Sequence, residues 1–223
     1  MELFYENANM TLAKAFERQG NIDHAILRYK EVLRVSPASL TVHRNLGNLF
    51  LQKGHIDKAA KEFSAVIQLQ PDSISEYIDL AKHLSANAKL QDAEKIYEMI
   101  LFFYPNDFEA NNGLGIIFAQ MGNLQKAAQC FVKVTVIAPD FAGGFINLGH
   151  ALNLQGKTEQ AKEYYFKAVQ LDPDSALAQC RLGQVLLSLN DIDPAIKHLE
   201  KALQINPDYS EARSSLDAAL SKR

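Results

Sequence analysis

Tryptophan is absent from the 223 residues and cysteine nearly so, with Cys130 and Cys180 alone. Two isolated thiols are too few for a disulfide scaffold or a cysteine zinc site, and they fit a reducing compartment. Neither sign of charge dominates. With 23 Lys and Arg against 26 Asp and Glu, the net charge is -3 and the isoelectric point about 6.1. That leaves no basic surplus to neutralise a run of phosphates, so no nucleic-acid partner is expected. Long apolar runs are missing too. Nothing approaches the ~20 residues of a membrane span, and the opening MELFYENANMTLAKAFERQG has no signal-peptide core. A cytoplasmic chain is the expectation. Catalytic constellations are also lacking. The six histidines form no HExxH and no i, i+4 pair, and GxSxG, a phosphate-cradling glycine loop and Cys-x-x-Cys do not occur. We therefore expect no enzyme, no cofactor and no metal.

What is present is a period. Pro37, Pro71, Pro105, Pro139, Pro173 and Pro207 lie 34 residues apart. Six units follow, 6–39, 40–73, 74–107, 108–141, 142–175 and 176–209. Leucine stands at Leu12, Leu46, Leu80, Leu114, Leu148 and Leu182, always followed by Ala or Gly, which implies a close helix crossing. A second stripe holds Ala25, Ala59, Ala93, Ala127, Ala161 and Ala195, each trailed at i+4 by Tyr, Phe or Leu. Between the stripes sits a breaker, Gly20, Gly54, Ala88, Gly122, Gly156 or Asn190, of which Ala88 is the weak member. Each unit is thus two helices of about fourteen residues joined by a tight turn. Helix pairs of this kind bury their stripes by stacking on neighbours, so we expect one all-α solenoid over 1–223 with no domain boundary. Leu216 and Leu220 continue the register, with Asp217 in the small column, which makes 210–223 a capping helix. Leu3, Phe4 and Tyr5 are apolar instead. Either they fold back on the first unit, or the chain is cut from a longer array.

These columns resemble the tetratricopeptide repeat over residues 6–209. The segments RNLGNLFLQKG and FINLGHALNLQG look most like the arrays of O-linked N-acetylglucosamine transferases and their bacterial relatives. The resemblance implies a right-handed superhelix whose first helices line a concave groove, and a scaffold or adaptor that binds an extended segment of a protein partner there. The rivals are a recruitment region cut from a larger enzyme such as a glycosyltransferase, and a self-assembling structural array.

On that implication the groove candidates are Lys14, Arg44, Asn45, Asn48, Lys82, Asn112, Asn147, His150, Asn153, Arg181 and Gln184, joined by Ile78, Ile116, Gly143, Ile146 and Cys180. Asparagine is a poor helix former, and its amide both donates to and accepts from a peptide backbone. Gly113 and Gly143 would let a ligand backbone come close, so repeats 4 to 6 are the preferred anchoring stretch. A carboxylate clamp is not expected, because Asp79 and Glu109 stand where such a clamp requires Asn and Lys. On the outer wall, the residue three before the repeat-closing proline is polar except at Phe102 and Val136, which with the nearby Met99 and Tyr104 offer a second surface for self-association or a second partner contact.

Overall fold

The computed structural model describes residues 2–223 in backbone and residues 4–223 in side chain. Among them are thirteen α-helices and no strand. The 34-residue period runs unbroken through the chain, while the helices gather into two compact units that divide after Phe103. Of the apolar N-terminal residues, the Leu3 side chain lies outside the described residues, and Phe4 and Tyr5 are exposed.

The first unit contains α1 (Glu2–Arg18), α2 (Ile22–Val35), α3 (Leu40–Gln52), α4 (Ile56–Leu69), a 3-10 turn over Pro71–Ser73, α5 (Ile74–Ala86) and α6 (Leu90–Phe103). The second contains α7 (Phe108–Gln120), α8 (Leu124–Ile137), α9 (Ala142–Leu154), α10 (Thr158–Leu171), α11 (Ala176–Ser188), α12 (Ile192–Ile205) and α13 (Ser210–Leu220). Odd-numbered helices up to α11 are the first helices of their repeats, and even-numbered helices the second.

The turn inside each repeat follows from the breaker column. Ala88 and Asn190 are the non-glycine residues at positive φ, 59° and 66°, and Gly20, Gly54, Gly122 and Gly156 take the same conformation. Each turn then closes with a backbone bond back to the helix end, as in Asn123 N to Phe118 O at 2.8 Å and Asp191 N to Leu186 O at 2.9 Å. The small column makes the expected close crossing. A Cβ added to Gly115 would lie 2.6 Å from the Phe131 ring, and one added to Gly149 would lie 2.9 Å from Tyr165. The aromatic of the second helix therefore occupies the space that the first helix leaves empty.

The column three residues before the leucines, Asn9, His43, Tyr77, Asn111, Phe145 and Gln179, has a structural use that its varied composition does not reveal. His43, Asn111, Gln179 and Arg213 each reach back six residues to the carbonyl of the repeat-closing proline, at 2.9, 3.0, 2.8 and 2.6 Å. These bonds tie the starts of α3, α7, α11 and α13 to the preceding turns and satisfy a carbonyl that Pro leaves beside a chain reversal. Some partners from the second helix complete the pattern. Glu62 bonds His43 and His198 bonds Gln179, both at 2.7 Å, whereas Cys130 stands at that place in repeat 4 and Asn111 Oδ1 is left buried and unbonded.

The last helix, α13, closes on the sixth repeat. It packs on α11 and α12, burying Ala212 and Ala219 against Cys180, Ile196, Leu199 and Ala202, while Asp217 faces water.

Candidate functional site

In the second unit consecutive first helices touch: α7 meets α9, α9 meets α11, and α11 meets α13. Side chains on their common face are therefore within reach of one another across repeats. Asn147 Nδ2 donates to Asn112 Oδ1 at 2.9 Å, joining α9 to α7. One turn on, Asn147, His150, Ala151 and Leu154 of α9 face Ile116, Ala119 and Gln120 of α7 across a hollow of about 290 Å³ floored by Phe131. Asn153 is exposed but does not line it. Burial pushes the His150 imidazole below the usual histidine range, and the nearby Arg181 charge adds to that.

Arg181 and Gln184 lie farther along, and both are engaged by α13. Arg181 pairs with Glu211 at 2.6 Å and donates to Gln184 Oε1 at 3.0 Å. Gln184 in turn donates to Glu211 and to Ser215 Oγ, each at 3.1 Å. The Gln184 hydrogen bond and the Arg181 guanidinium hold the Glu211 carboxyl below the usual carboxylate range. A groove cation expected to meet a ligand thus already has an anion of this chain.

Three residues expected on the groove face are buried instead. Cys180 packs against α12 and α13, and Ile78 and Ile146 join the cores of their units. Both cysteines are free and buried, with desolvation raising their thiols. A Cβ on Gly143 would meet the Phe141 ring at 2.6 Å, and the neighbouring Gly144 makes room for Val134.

In the first unit the groove candidates are more strongly charged. Arg44 pairs with Glu76 at 3.2 Å, and Lys82 lies 3.6 Å from Asp79. Asn45 donates to the Tyr29 hydroxyl at 3.0 Å, which itself donates to Glu17. Lys14 and Asn48 are exposed.

The outer-wall residues separate by burial. Phe102 is 80% exposed and Val136 74%, Tyr104 is half-buried, and Met99 is buried at 7%, so Met99 belongs to the core of the first unit and not to a surface. Phe102 edges onto Phe103, with ring centroids 4.9 Å apart. A further apolar hollow of about 340 Å³, between α10, α11 and α12, was not expected; its signal was Phe166, in a column that otherwise holds Lys30, Ser64, Glu98, Val132 and Glu200.

Residues Leu154, Ala119 and Gln120 were missed as groove residues because they sit in the last turn of their helices, beyond the asparagine column. Among the described residues there is no cluster of metal-ligating side chains, and no helix is long and apolar enough to cross a membrane.

Residues 10–74 and 78–140, and separately 152–220, match family profiles described as tetratricopeptide repeat. No curated protein matches the sequence. Solved structures share the fold. YrrB, described as a TPR protein with an unusual peptide-binding site, superposes with a TM-score of 0.63 at 15% identity, covering 85% of this chain and 97% of that one. The APC/C hetero-tetramer Cut9–Hcn1 gives 0.63 at 18% identity, over 99% of this chain and 43% of that one. PilF of Pseudomonas aeruginosa gives 0.59 at 16% identity, over 97% and 99%.

Proposed function

The chain belongs to the tetratricopeptide repeat family, and from that premise we propose that it is a protein-interaction scaffold that holds an extended segment of a partner in the first-helix groove of its second unit. The coarser part follows from the family, whose repeats are protein-interaction scaffolds. The finer part rests on one observation, the hollow beside the Asn112–Asn147 amide pair. Each amide retains hydrogen-bonding capacity after that bond forms, so the pair can meet a peptide N–H and C=O without demanding a particular side chain. YrrB offers a parallel, as a protein of the same fold described with a peptide-binding site.

The test is Asn147→Ala in the full chain, measured by fluorescence anisotropy with peptides recovered from a phage-displayed random library. A hydrogen bond to a neutral peptide group contributes about 0.5–1.5 kcal/mol, so affinity should fall by roughly 2- to 12-fold with helicity unchanged. Recovered peptides that bind wild type and variant equally would remove the groove assignment. Arg181→Glu is a poor probe, because it sets two carboxylates together at Glu211 and disturbs the docking of α13.

A further inference from the structure

Two columns of the repeat supply the side chains that face each other across the hollow. The first reads Lys14, Asn48, Lys82, Ile116, His150 and Gln184, and the second Arg18, Gln52, Ala86, Gln120, Leu154 and Ser188. Each contains a single large apolar residue, Ile116 in one and Leu154 in the other. The two fall in adjacent repeats and line the same hollow. Ile116 is 37% exposed and Leu154 53%, so neither is simply core.

The electrostatics agree. Helix α7 has one residue among Asp, Glu, Lys and Arg, Glu109; α9 has none, with His150 its one titratable side chain; and α11 has Arg181, which Glu211 occupies. An apolar side chain entering here desolvates little charge. An acidic one would find no unpaired Lys or Arg on α7, α9 or α11, and a carboxylate taken from water unpaired is strongly disfavoured. The hollow is at the small end of ligand pockets, suited to a side chain and not to a cofactor.

We infer that the second unit selects uncharged segments, taking an aliphatic or phenyl side chain between Ile116 and Leu154, with Glu211 acting as a built-in competitor that denies acidic ligands the Arg181 guanidinium. This deepens the peptide-groove reading and rests on it. Glu211 is thus a specificity residue on a helix that otherwise serves as a cap.

The experiment pans the full-length chain against a phage-displayed library of random peptides and measures synthetic versions of the recovered sequences by anisotropy. Recovered peptides should share Leu, Ile, Met or Phe at one position and be depleted in Asp and Glu beside it. Leu154→Glu should weaken them by about 10- to 100-fold, the loss that accompanies exposing one buried apolar side chain. Leu154 is exposed, so its replacement leaves the core intact; Ile116→Asn gives the same reading from the opposite wall. Glu211→Gln should admit peptides with Asp or Glu that wild type rejects. Recovered peptides that are acidic or basic, and that ignore Leu154→Glu while still losing affinity with Asn147→Ala, would overturn this inference and leave the groove reading standing. Recovery of no peptide at all would overturn both.

Discussion

Ala88 occupies a left-handed conformation that its own Cβ opposes, at φ 59° in the turn between α5 and α6. Left-handed backbone costs a non-glycine residue about 1–2 kcal/mol, and glycine returns part of that gain through its freer unfolded chain. Ala88→Gly should therefore raise stability by about 0.5–1 kcal/mol, read as a higher midpoint in urea denaturation. The weak member of the breaker column was legible in the sequence, because the other five positions hold Gly or Asn. A second residue-scale prediction concerns His198, whose imidazole burial holds below the usual histidine value of 6.5. A histidine depressed in the folded state binds its proton more readily when unfolded. Its contribution to stability is complete above pH 6.5 and declines as pH falls toward the folded value. Thermal midpoints should drop between pH 7.5 and 5.5 on the order of a few degrees, and His198→Asn, which keeps a donor for Gln179, should flatten that slope. The bond itself was not legible. Gln179 and His198 are nineteen residues apart, Gln179 in a column that holds Asn, His, Tyr, Phe and Gln and His198 in one that holds Arg, Glu, Ile, Cys and Tyr, and only the crossing of two helices brings them together.

At the level of elements, α13 does two things at once. It covers the apolar end formed by Cys180, Ile196, Leu199 and Ala202, and it sets Glu211 and Ser215 on the groove residues of α11. Removing 210–223 should cost on the order of 3 kcal/mol, from the lost burial of Ala212, Ala219 and the partly buried Leu216 and from exposure of the apolar end they cover, and should lower solubility. An unchanged melting temperature in the truncated protein would contradict the capping role. The helices themselves were readable because their boundaries carry chemical marks: proline after the second helix, glycine or asparagine after the first in every repeat but the third, and a small residue where the two helices of a repeat cross. What the helix pattern concealed was the state of the polar residues on the groove face. Arg181 and Gln184 read as free ligand contacts, since the sequence does not show that a carboxylate thirty residues later is folded onto them.

Over the whole molecule, the period carries straight through Phe103 although the packing divides there. The same period made the family legible from three invariant columns and left the proposed site nearly silent, because that site is read from departures from the repeat. Ile116 and Leu154 are such departures, one apolar residue in each of two polar columns. The most direct measurement is amide chemical-shift mapping on the isotopically labelled full chain, titrated with an uncharged peptide recovered from the library. Binding as proposed predicts that the shifted amides concentrate on α7, α9 and the facing part of α11, centred on Ile116, Asn147 and Leu154. Shifts confined to the second helices, or centred on Phe102 or Phe166, would contradict it.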